Sequence, residues 1–111
     1  MAQFVKVTKM SELPEHKGTL EEVEGKGTLV EVEGNRIALF NLDGEVFAID
    51  DTCTHEGGPL SEGTVQGDEI VCSWHGSRFS IVSGAARALP AMEDVAAYKV
   101  RVTDDDVEVE V

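Results

Sequence analysis

The chain has 111 residues, room for one compact domain, since two domains of half that length would each have little core to bury. Hydrophobic residues at 41% and only three prolines argue against global disorder. Nine Lys and Arg against 22 Asp and Glu leave a formal charge of −13, which repels phosphate backbones and anionic membrane surfaces and makes nucleic acid and membrane poor partners.

From Met1 to Lys9 charged residues interrupt the apolar ones, so no signal-peptide core is expected. No apolar run approaches the roughly 20 residues that cross a bilayer, and the cytoplasm is the expected compartment. Phe4–Thr8, Gly27–Val32, Arg36–Asn41 and Glu45–Ile49 are short, rich in β-branched or aromatic residues and bounded by turn formers, which predicts antiparallel strands. A short helical turn capped by Ser11 is expected within Ser11–Lys17, with Pro14 confined to its first turn. The Glu-Val-Glu-Gly tetrapeptide at 22–25 and 31–34 does not make a repeat architecture and reads as two similar strand ends. Asp43 and Gly44 predict a two-residue hairpin, because a primed turn needs positive φ and Gly supplies it without strain.

Further strands are predicted at Glu69–Val71, Arg78–Val82, Ala97–Val102 and Val107–Val111. In the last two, Tyr98, Val100 and Val102, then Val107, Val109 and Val111, alternate with charged neighbours, which puts one face inside and the other in water. Asp104, Asp105 and Asp106 between them suit a solvated turn rather than a metal site. No long helix is expected.

Both cysteines and two of the three histidines fall between Ile49 and Phe79: Cys53 and His55, then, after sixteen residues, Cys72 and His75. In a reducing compartment such cysteines serve better as metal ligands than as a disulfide. Thiolates are soft anionic donors and neutral imidazoles suit iron, so two mixed loops can grip both ends of a binuclear iron–sulfur cluster. In extended chain Cys53 and His55 project to one side about 7 Å apart. Gly57, Gly58, Pro59, Gly63 and Gly76 permit tight turns and close backbone approach beside these residues. Two Cys and two His also satisfy tetrahedral zinc, and a zinc-stabilised interaction module is the competing reading, although zinc sites usually keep cysteines together and histidines together.

The pattern Cys-x-His, sixteen residues, Cys-x-x-His, with the stretch from Asp43 to Ile49 and with Phe79, Gly84 and Pro90, resembles the Rieske ferredoxins across most of the chain. The resemblance implies an all-β fold, a Rieske-type antiparallel β-sandwich with a small cluster-binding subdomain of hairpin loops at about 50–90, within one domain over 1–111. It implies one [2Fe–2S] cluster per chain, with Cys53 and Cys72 on the inner iron and His55 and His75 on the outer iron near the surface, where electrons are exchanged. It places Ser77 where a hydroxyl donates to a cluster sulfide, Phe79 where high-potential members have tyrosine, and Pro90 in a loop that shields the cluster. Respiratory members carry a further cysteine in each loop, paired as a disulfide. Glu56, Gly57 and Ser73 occupy those regions here, which favours the ferredoxin branch. Phe79 cannot donate a hydrogen bond and Glu56 adds negative charge, so a potential toward the low end of the Rieske range of about −150 to +300 mV is expected.

The implied function is one-electron transfer without bond-making chemistry and without a catalytic residue. The electron comes from a ferredoxin reductase and goes to a terminal oxidoreductase, a Rieske non-haem iron ring-hydroxylating oxygenase, with the free carrier a monomer. The alternative is a small Rieske subunit held in a larger enzyme such as assimilatory nitrite reductase. The acidic surplus suits solubility and steering toward a partner with a basic docking face.

Overall fold

The structure is a computed structural model in which residues 3–17, 21–52, 58–72, 76–88 and 93–111 are described. The strands run β1 Phe4–Lys9, β2 Glu15–His16, β3 Val23–Glu24, β4 Thr28–Val32, β5 Asn35–Leu42, β6 Glu45–Asp50, β7 Thr64–Gln66, β8 Glu69–Val71, β9 Arg78–Ser80, β10 Ala86–Ala88, β11 Ala97–Tyr98, β12 Val100–Thr103 and β13 Asp106–Glu110. Helical structure among the described residues consists of two 3-10 turns, Met10–Glu12 and Leu60–Glu62. No helix among these residues is long and apolar enough to cross a membrane.

Three sheets form, in the orders β1-β13-β12, β11-β6-β5-β2 with β4 also on β5, and β10-β9-β8-β7-β3. Pairing is antiparallel except between β2 and β5. β5 is the wall between the outer two sheets, and its sequence explains why. Residues Ile37 to Phe40 are an unbroken apolar run, so both faces are buried. Ile37 and Leu39 pack with Val107 and Val109 on one side, while Ala38 and Phe40 pack with Leu60, Ile70 and Phe79 on the other. Each such side chain, taken fully out of water, contributes about 1.5–3 kcal/mol.

The predicted Asp43-Gly44 hairpin joins β5 to β6, with φ of 52° and 90° at its two central residues, and the Asn41 side chain accepts the Gly44 N–H at 2.9 Å. Both Glu-Val-Glu-Gly copies end strands, β3 and β4.

Several expectations need correction. The helical turn lies at Met10–Glu12 and has no side-chain cap. Ser11 instead donates through its hydroxyl to Asp105 at 2.9 Å, so the acidic turn between β12 and β13 anchors β1's continuation as well as meeting water. The strand begun at Arg78 stops at Ser80, because Gly84 N–H returns to the Ser80 carbonyl and turns the chain over residues 81–83. The strand expected over Ala97–Val102 divides at Lys99: Ala97 and Tyr98 pair with β6, and from Val100 the chain pairs with β13. Val102, on the edge strand β12, is 43% exposed rather than inward.

Candidate metal centre

Cys72 follows β8 directly and is 1% exposed, packed in the apolar cluster with Ile70, Phe79 and Ile81. β8 and β9 are antiparallel, with Val71 opposite Arg78, so Cys72 to Ser77 is the connection between them. Its ends are tied: Cys72 N–H donates to the Ser77 carbonyl at 2.8 Å, and Gly76 N–H donates to the Cys72 carbonyl at 3.2 Å. His75 belongs to this connection and lies outside the described residues.

Ser77 is wholly buried, and its Oγ has no hydrogen-bond partner among the described residues. A buried hydroxyl left so costs about 1–3 kcal/mol, which makes it a donor awaiting an acceptor. A bridging sulfide of an iron–sulfur cluster whose iron was bound by Cys72, five positions back on the same tied loop, would supply one. The described donor set, a buried soft ligand at Cys72 and an unspent hydroxyl at Ser77, therefore fits an iron–sulfur group. Phe79 is also fully buried, and its ring belongs to the same apolar cluster as Cys72.

Cys53, His55 and Pro90, with Glu56, Gly57 and Ser73, lie outside the described residues. What is described is the frame around the first pair. Thr52 bridges Pro59, so the residues flanking the segment that holds Cys53 and His55 are paired with each other. Just beyond, Gly63 passes so near the Val71 carbonyl that a Cβ there would sit 2.3 Å from the oxygen. Thr64 then pairs with Val71. The exit of the first segment thus abuts the entry to Cys72, and the flanks of both predicted ligand pairs are brought together.

Asp51 gives no sign of this role in the sequence. An acid at a strand end is ordinarily solvated, yet Asp51 is 1% exposed. Its Oδ1 accepts the Ser61 N–H at 2.7 Å, its carbonyl accepts the Leu60 N–H, its own N–H donates to the Arg36 carbonyl, and Arg36 lies 3.7 Å from Oδ2. These partners are distant in sequence, so no local pattern announces them. Beside it, the Tyr98 hydroxyl donates to Asp50. Burial first, and that hydrogen bond second, push the Tyr98 phenol up to about 12.

Among the described residues no group of three or more His, Cys, Asp or Glu is placed to hold a metal, and Cys72 is the one predicted ligand that falls within them. A cleft of about 260 Å³ lined by Glu15, His16, Lys17, Glu21, Val23 and Lys26 contains none of the predicted ligands.

A family model described as the Rieske [2Fe-2S] domain matches residues 3–99. The ferredoxin component of naphthalene 1,2-dioxygenase/salicylate 5-hydroxylase systems from Ralstonia sp. is 38% identical over 79 residues, covering 71% of this chain and 76% of that protein. Among solved structures, the ferredoxin of carbazole 1,9a-dioxygenase from Nocardioides aromaticivorans IC177 superposes with a TM-score of 0.83 at 28% identity, over 96% of each chain. A chain from a complex of reduced oxygenase and oxidized ferredoxin in carbazole 1,9a-dioxygenase gives 0.76 at 30% identity, over 96% of this chain and 91% of that one.

Proposed function

This chain belongs to the Rieske [2Fe-2S] domain family, and on that premise we propose that Cys53, His55, Cys72 and His75 hold its cluster and that it carries electrons singly from a reductase to a ring-hydroxylating oxygenase. The cluster, when bound, supplies the one-electron couple. The chain's own residues do the rest. Cys53 and Cys72 would supply thiolates to one iron, and His55 and His75 would supply imidazoles to the other, the iron at which electrons would be exchanged with a partner. Ser77 offers its hydroxyl to a sulfide, which favours the more negative reduced state. Phe79 packs without donating, so one potential-raising contact is missing.

Residues about 50–90 are the cluster-binding part of a single Rieske domain, and the chain works as a free monomeric carrier in the cytoplasm. No bond-making step falls to it. Support for the oxygenase as partner comes from the Ralstonia relative, named a ferredoxin component, and from the carbazole system, where a ferredoxin is named in complex with its oxygenase.

The observation that carries the ligand reading is the unspent buried hydroxyl of Ser77 on the loop tied to Cys72. Metal analysis of anaerobically purified protein tests it. Brown protein with two irons and two acid-labile sulfides per chain is expected, with loss of both in Cys72→Ser. Colourless protein holding zinc, or a Cys72→Ser variant that keeps its iron, would overturn the reading.

A further inference from the structure

We propose that Asp51 is the positioning residue for the segment that carries Cys53 and His55, and that Arg36 balances its charge there. This rests on the ligand reading above and adds to it a residue that makes no bond to the cluster.

The Leu60–Glu62 turn begins at Pro59, which brings no N–H and no side-chain cap. The two donors that follow both go to Asp51: Leu60 N–H to its carbonyl and Ser61 N–H to its carboxylate. One residue at the entrance of the ligand segment therefore satisfies the first two buried amides at its exit.

That exit is held firmly. Leu60 is fully buried. A Cβ on Gly27, just before β4, would lie 2.6 Å from the Ser61 carbonyl oxygen, and one on Gly63 would meet Val71 on β8. Asp51 passes this rigidity back to a point two residues before Cys53. Groups that orient metal ligands in this way set how tightly the metal is kept.

The choice of an acid has a second consequence. A buried carboxylate is costly unless paired, and here Ser61 N–H and the half-exposed Arg36 supply the compensation, Arg36 also lying 3.5 Å from Glu31. The negative charge stays fixed two residues before Cys53, and a negative charge held near a cluster opposes addition of an electron. Position and charge are separable, since Asn keeps an acceptor for Ser61 while removing the charge.

The test compares cluster loss, followed as bleaching in the presence of an iron chelator, with the midpoint potential. Asp51→Ala is expected to lose its cluster about 10- to 100-fold faster than the parent, whereas Asp51→Asn stays close to the parent rate and restores retention. Asp51→Asn shifts the potential upward and Arg36→Gln shifts it downward. A purely structural role would not produce opposite shifts. Should Asp51→Ala fail to fold, the Asn and Gln variants decide the matter. Parent-like cluster loss in a folded Asp51→Ala, or shifts that are absent or share one sign, would overturn the proposal. A parent protein without a Rieske signal would instead overturn the ligand reading, before any variant is compared.

Discussion

Ser77 concentrates the chemistry of the site into one atom. Its place two residues after His75 was legible in the sequence, but its burial and unspent hydroxyl were not, because both depend on the closing of Cys72 N–H onto the Ser77 carbonyl. A net hydrogen bond of about 0.5–1.5 kcal/mol to the reduced cluster corresponds to about 20–60 mV for one electron. Ser77→Ala should therefore lower the midpoint potential by that amount in a redox titration followed by circular dichroism, and an unchanged potential would remove the hydroxyl from the site. Phe79→Tyr should keep the cluster and raise the potential, the reverse of the serine deletion. Tyr98 provides a check away from the ligands. Its phenol is raised to about 12 by burial and by Asp50, above the ordinary value of about 10. The neutral phenol thus adds stability that is complete below pH about 10 and is lost as pH climbs through about 12. Ultraviolet titration should place its midpoint there, and Asp50→Asn should bring it down.

Among elements, the longer strands were readable and most of the shortest were not, with three-residue β8 the exception. β5 and β6 carry enough β-branched and aromatic residues over six or eight positions to be recognised. By contrast β2, β3, β7 and β10, of two or three residues each, are too brief for any period to develop. They form because neighbours offer an edge: β7 lies against β8, and β3 against β7. The division at Lys99 was invisible for a related reason. Alternation records which face is wet, not which sheet a strand joins, and the Lys99 carbonyl already accepts from Glu110 on the β1-β13-β12 sheet. The close pass at Gly63 yields a prediction on stability. Gly63→Ala puts a methyl against the Val71 carbonyl, an overpacking that costs about 1–3 kcal/mol. Its urea midpoint should fall without a change in slope; a midpoint equal to the parent's would mean that β7 and β8 separate there at no cost.

For the whole molecule, the ligand spacing carried more information than anything else in the chain. The four Cys and His positions identified the family, whereas residues 1–45 alone would not have done so, and the layered arrangement around β5 emerged only from the structure. The net charge of −13 belongs to this scale, where solubility and steering toward a basic partner are the two roles open to it. Electron delivery to an oxygenase with a basic docking face should slow as ionic strength rises, since the Debye length shrinks from about 30 Å at 0.01 M to about 8 Å at 0.15 M. Stopped-flow rates across that range check it, and rates that stay level would assign the acidity to solubility alone. The proposed ligation of a Rieske cluster by Cys53, His55, Cys72 and His75 has a direct spectroscopic signature. Electron paramagnetic resonance of the dithionite-reduced protein should show a Rieske signal integrating to about one spin per chain; a silent spectrum from iron-free protein would contradict it.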